Sequence, residues 1–252
     1  MRFFVMTLVA VTAMAAVALS DDKKPIQVLL VTGVDHPSHD WTKTTPTICE
    51  LLEKDEQFAV RVVKDPNLLA SPELFDIDVV FLHFRNDKPL AEQQQVQANL
   101  TEFAERGGGL VAMHFACGAL GDWPEYRNLV GRVWDGENTH DPRGPFTVEI
   151  TKDEHPITRG MSDFQTDDEL YIGLVGERSV ELLAFARSKV TGRDHPMAFA
   201  FQYGKGRVFH TSLGHDDRAI RSPGTAELIR RGCAWAANDR SLLTGKSPQE
   251  PR

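Results

Sequence analysis

The chain has 252 residues, 41% hydrophobic and 25% charged, with a formal net charge of −8. That length supports one domain with a substantial core, and the acidic balance excludes a phosphate-backbone partner such as nucleic acid. Three cysteines (Cys49, Cys117 and Cys233) are too few for a disulfide scaffold, and an odd number leaves a thiol unpaired.

The first residues, "MRFFVMTLVAVTAMAAVALS", carry one early positive charge, an uncharged apolar run and a small-residue exit before "DDKK". This is the layout of a secretory signal peptide over residues 1–20, cut after Ser20, which predicts a secreted or periplasmic protein without stable membrane insertion. Losing it takes Lys+Arg from 28 to 27 against 36 acids, so the charge moves from −8 to −9.

"PIQVLLVTG" (25–33) is a short β-branched apolar run closed by glycine and reads as a buried strand. Asp40 precedes a helical pattern through "WTKTTPTICELLEK". Pro46 suggests that this helix begins only near Thr45, with proline in its first turn. "FAVRVVKD" (58–65) and "IDVVFLHF" (77–84) are further strands; "LAEQQQVQANLTEFAERGGG" is a helix stopped by its glycines. A fourth strand, "GLVAMH" (109–114), leads to a helical pattern that includes "WPEYRNLVGRVW". Strands without a polar face, alternating with helices, predict a doubly wound, mostly parallel α/β sheet flanked by helices. In the second half "PFTVEI", "VELLAFAR" and a hairpin turning at Gly204-Lys205-Gly206 add antiparallel strands; "TAELIRRGCAWAA" closes the domain as a helix. Cys49 and Cys233 fall on the apolar sides of helices as small buried hydrophobes, and residues 241–252 form a flexible tail.

In an open parallel sheet, ligands bind beyond the carboxyl ends of the strands. Four of nine histidines fall at that edge: His36 after the first strand, His83 at the end of the third, His114 at the end of the fourth, and His215 in "SLGHDDR". His39, Trp41, Arg85 and Asp216 accompany them, and "TDDELY" supplies Asp168, Glu169 and Tyr171, with Asp167 a solvated turn residue. His114 ends a run without another polar group, where burying an imidazole to no purpose would cost desolvation. His140, His155 and His195 lie in loop or turn sequence. No HExxH, CxxC pair or EF-hand loop appears. A divalent metal, zinc for instance, therefore rests on clustering alone, with His36, His114 and His215 as candidate ligands.

"GGGLVAMHFA", "HPITRG" (155–160), "DELY" (168–171) and "YGKGRVFHTSLGHD" (203–216) occur in this order and resemble the ThuA-like (trehalose-utilisation) family over roughly residues 25–240. The resemblance implies a fold similar to class I glutamine amidotransferases, themselves flavodoxin-like. In that fold a nucleophilic cysteine sits on a G-x-C-x-G elbow. The matching stretch here is Ala112-Met113-His114-Phe115-Ala116, so the elbow carries a ring instead of a thiol, and its flanking alanines limit how strained the turn can be. Cys117 comes three residues later, where His114 would be the activating partner of a thiol nucleophile; glutamine hydrolysis is not expected.

The resemblance also implies a carbohydrate ligand, notably a disaccharide oxidised at the 3-position. A keto-sugar has acidic hydrogens next to its carbonyl, which a histidine or carboxylate can abstract. His114 or His215 would then be the base and Asp168 or Glu169 its orienting partner. Arg85 or a metal would polarise the carbonyl, while His36, His83, Trp41, Tyr171 and Asp216 contact the sugar. A non-catalytic sugar-binding protein and a metal-dependent hydrolase are the alternatives, and oligomeric state stays open.

Overall fold

The apolar runs between residues 26 and 113 fold into β1 (Ile26–Val31), β2 (Phe58–Val63), β3 (Val79–Leu82) and β4 (Gly109–Met113). These come from a computed structural model describing residues 24–238, except 55, 138, 152 and 153. The expected signal peptide and tail lie outside the described residues. Every residue of β3 and β4 is buried, as a strand covered on both faces requires. Then follow β5 (Gly144–Ile150), β6 (Phe164–Asp168), β7 (Glu181–Arg187), β8 (Asp194–Tyr203) and β9 (Gly206–Thr211). They join one nine-stranded sheet in the order β2-β1-β3-β4-β9-β8-β7-β5-β6. Pairings from β2 through β4 to β9 are parallel. Those from β9 through β8 and β7 to β5 and β6 are antiparallel, so the mixed sheet read from the sequence is present.

Alternation within each strand feeds two cores. Val28, Leu30, Phe81, Val111 and Met113 pack on one face with Ile48 and Leu52 of α1 (Trp41–Glu53) and Leu228, Ile229 and Cys233 of α5 (Pro223–Ala236). Leu29, Val31, Leu82, Leu110 and Ala112 pack on the other with Leu100 and Phe103 of α2 (Gln93–Arg106) and Leu129 of α3 (Tyr126–Val130). Period-two side-chain placement is thus what makes the sheet doubly wound. Gly107 closes α2 with φ of 119°, the left-handed stop expected there.

Several boundaries differ from the sequence reading. α1 begins at Trp41, four residues before Thr45, because the Asp40 carboxylate accepts from Thr42 N at 3.1 Å and caps it; Pro46 sits inside. α3 is confined to Tyr126–Val130, since Gly131 follows with φ of 84°. A short helix α4 (Asp217–Arg221) and the strand β6 were not anticipated. Among the described residues, no helix is long and apolar enough to cross a membrane.

Candidate functional site

β4 carries its buried run straight into His114, which is wholly buried and adopts φ of +51°. A left-handed non-glycine residue at a strand-to-helix elbow is a strained arrangement, so the flanking alanines do not relax the turn as expected. Its reward is orientation. His114 Nδ1 donates to the carbonyl oxygen of Ser212, just past β9, at 2.7 Å. With the proton fixed on Nδ1, the lone pair of the neutral ring is on Nε2. That atom lies 3.1 Å from the Tyr171 hydroxyl and 3.4 Å from Glu169 Oε2.

The loop after β1 supplies a second ring by a similar device. Ser38 N donates to His36 Nδ1 at 3.2 Å, which makes that nitrogen an acceptor. His39 Nδ1, 2.9 Å away, must then carry the proton and donate to it. His39 Nε2 is left with its lone pair, 3.4 Å from the Tyr171 hydroxyl. The His39 ring stacks on Phe115 at 4.6 Å and sits 5.0 Å from His114 and 5.1 Å from His215. Burial first, then the neighbouring imidazoles of His114, His36 and His215, push His39 down to about 2. It is a neutral ring.

Glu169 and His215 arrive from opposite ends of the second half and are fixed by one buried carboxylate. Asp168 accepts from Gly214 N at 2.7 Å, His215 N at 3.1 Å and Glu169 N at 2.8 Å. Burial raises its pKa, against the opposing effect of His114 and these N–H groups. Gly214 has φ of +108°, and a Cβ there would sit 2.9 Å from Met113 Cε, so glycine is required. Glu169 Oε2 lies 3.1 Å from His215 Nδ1, and Oε1 lies 3.5 Å from His140 Nε2. Burial pushes Glu169 up, but the imidazoles of His114 and His215 outweigh it and hold the carboxyl well below its usual range. Glu169 in turn raises His215, against the lowering effect of burial.

A cavity of about 160 Å³ opens above this cluster, lined among others by His39, Arg85, Phe115, His140, Glu169 and Tyr171. It shares a wall of Arg85, Cys117, Gly118 and Trp134 with a neighbouring cavity of about 340 Å³. Together they reach the size usual for small-molecule sites. The Arg85 guanidinium is stacked 4.1 Å from the Trp134 ring.

Convergence of distant histidines at one sheet edge, expected from the sequence, is present, but the membership changes. His39 replaces His36 beside His114 and His215, and His36 stands one contact behind it. His114 and His215 lie under Glu169, outside the cavity lining, whereas His140, read as an ordinary loop residue, lines the cavity. His140 is placed by a bridge to Tyr171, and its Nδ1 donates to Asp141 O at 2.7 Å. Three expected sugar contacts fall elsewhere. Trp41 Nε1 donates to Asp35 at 2.9 Å, on the surface at the start of α1. His83 is buried, sharing a 2.8 Å hydrogen bond with the Thr44 hydroxyl. Asp216 caps α4 and pairs with Arg143 at 2.6 Å. Asp168 is a backbone clamp, not an orienting partner for a base. Cys117 is buried, and burial pushes its thiol up to about 12, so His114 does not activate it.

The family model for ThuA, described as trehalose utilisation, matches residues 27–236. The chain belongs to the ThuA family. A solved ThuA-like protein from Parabacteroides merdae is 26% identical to it, with a TM-score of 0.75 over 90% of this chain and 93% of that one. A second, from Bacteroides uniformis, is 18% identical with a TM-score of 0.69, covering 88% of this chain and 95% of that one. A β-galactosidase from Bacillus circulans sp. alkalophilus shares the fold over 86% of this chain and 31% of its own, at 14% identity and a TM-score of 0.58. No curated protein matches in sequence. ThuA membership gives the chain a carbohydrate-related function and a glutamine amidotransferase-like fold whose elbow bears His114.

Proposed function

We propose that this ThuA-family protein is an exported enzyme that transfers a proton at the carbon next to the carbonyl of a keto-glycoside, with His140 as proton carrier and Glu169 as its partner. The observation that carries this reading is that His140 and Glu169 both line the cavity, His140 Nε2 lying 3.5 Å from Oε1 with its Nδ1 proton committed to Asp141 O. The lone pair on Nε2 is the free basic site. A proton taken up there comes to rest 3.5 Å from the Glu169 carboxylate.

The chemistry balances without a co-reactant. The C–H proton goes to Nε2 as its electron pair moves to the carbonyl oxygen, where the Arg85 guanidinium at the cavity wall faces the developing charge. As the carbonyl re-forms, the pair makes a carbon–carbon double bond, the glycosidic C–O bond breaks, and His140 returns the proton to the departing oxygen. Phe115, Trp134 and Tyr171 supply apolar faces for the ring.

Turnover of disaccharides oxidised at one ring, compared with their unoxidised parents, tests this in the wild type and in His140→Gln. The expected result is turnover of the keto form alone, falling about a hundredfold or more in the variant while sugar affinity changes little. Wild-type turnover by His140→Gln would remove His140 from the mechanism. Sugar binding by the wild type without any turnover would make the protein a binding module.

A further inference from the structure

Four donors from four separate loops converge beneath the cavity: His39, His114, Glu169 and His215 each place one ligand atom within 4.8 Å of all the others. Their surroundings fix which atoms these are. Hydrogen bonds on the far side of each ring leave lone pairs on His39 Nε2 and His114 Nε2. With the His114 ring neutral, Glu169 Oε2 faces its Nε2 at 3.4 Å acceptor against acceptor, and a proton on the ring or a cation between the two makes the contact favourable. The Tyr171 hydroxyl stands within 3.4 Å of His39 Nε2 and 3.1 Å of His114 Nε2, yet has a single proton to give. His215 Nδ1, buried, has Glu169 Oε2 at 3.1 Å but off line for a hydrogen bond. With the rings neutral, the centre of the cluster therefore holds more electron pairs than protons, at the floor of the cavity that His39 and Glu169 line. A small cation resolves that excess.

We infer that His39, His114, Glu169 and His215 form a binding site for a divalent transition-metal ion of the zinc class. Three imidazoles and one carboxylate suit zinc, cobalt or nickel, whereas magnesium and calcium require oxygen ligands almost throughout. A tetrahedron with bonds of about 2.1 Å has edges of about 3.4 Å, so the donors close by roughly an ångström on binding. The supporting contacts are those that metal-ligating histidines use: Ser212 O behind His114, His36 behind His39, and Asp168 fixing the backbone of both Glu169 and His215. Glu169 Oε1 stays turned toward His140, so an ion at this position borders the cavity and would polarise the same carbonyl.

This deepens the keto-glycoside reading and shares its site, but it is tested with metal alone. Untagged protein, stripped with a chelator and shown to be folded, is titrated with zinc chloride by calorimetry and with cobalt(II) by visible absorption. The expected result is one ion per chain, with the visible d–d bands of a four- or five-coordinate cobalt site. His39→Ala and Glu169→Gln should each weaken zinc binding by about a hundredfold or more, and His36→Ala by about 10- to 100-fold. His195→Ala, remote from the cluster, should leave it unchanged. Folded wild-type protein that binds neither ion stoichiometrically, or His39→Ala and Glu169→Gln variants that bind as tightly as wild type, would overturn the site. Either result would leave the His140 turnover test standing.

Discussion

His114 Nδ1 and the carbonyl oxygen of Ser212 are hydrogen-bonded at 2.7 Å across 98 residues of chain, joining the end of β4 to the end of β9. This bond holds a left-handed histidine in place and sets its tautomer. His114→Ala should destabilise the protein by about 2–4 kcal/mol, through the cavity and the unpaired Ser212 carbonyl. His114→Asn, whose side chain tolerates positive φ, should recover about 1 kcal/mol of that without recovering activity. Urea unfolding of both variants checks this. Wild-type stability in His114→Ala would mean that the elbow is not under the tension described.

Asp168 links the two halves of the site through three backbone N–H groups, donated by Gly214, His215 and Glu169. Asp168→Asn turns an amide NH₂ toward at least one of those donors. The expected cost is about 2–4 kcal/mol, with keto-sugar turnover reduced in parallel because Glu169 and His215 lose their common anchor. Unchanged melting and turnover would show that the clamp is dispensable.

The parallel half of the sheet is legible in the sequence because β3 and β4 are buried on both faces and so read as unbroken apolar runs. β6 is not legible. "FQTDD" lies at the end of the sheet order with alternate residues exposed, and its polar composition suggests a loop. The histidine cluster is visible as far as the strand-end rule reaches, which covers His114 and His215. His36 and His39 are three residues apart in one loop, and only the turn that points His36 Nδ1 at Ser38 N decides which ring faces inward. His140 belongs to no named strand and is placed by a bridge to Tyr171, a pairing without a local signature.

His210 and His83 are buried away from the cavity, and burial lowers them to about 4 and about 3 from the ordinary 6.5. Between pH 6.5 and about 4 an unfolded chain binds a proton at His210 that the folded chain refuses. Stability contributed by the neutral ring is therefore complete above pH 6.5 and lost as pH falls toward 4, at a cost on the order of 3 kcal/mol. Urea midpoints should fall across this window, and His210→Gln should shallow the decline. A flat profile, or an unchanged slope in the variant, would contradict the assignment.

Cys117 lies on the shared wall of the two cavities with its thiol pushed up to about 12 by burial. Folded protein at pH 7.5 should resist iodoacetamide at Cys117, and Cys117→Ala should keep turnover within about threefold of wild type at a stability cost near 1 kcal/mol. Peptide mapping after alkylation gives the first answer and steady-state kinetics the second. Rapid labelling together with lost turnover would restore a thiol mechanism.

Proton transfer by an imidazole leaves a direct isotopic trace. A keto-disaccharide incubated with the enzyme in deuterium oxide should take up deuterium at the carbon beside its carbonyl, observed by proton NMR as loss of that one resonance. His140→Gln should slow this uptake about a hundredfold or more, with the protein still folded. Wash-in at the wild-type rate in the variant, or wild-type product formed in deuterium oxide that keeps protium at that carbon, would contradict proton transfer by His140.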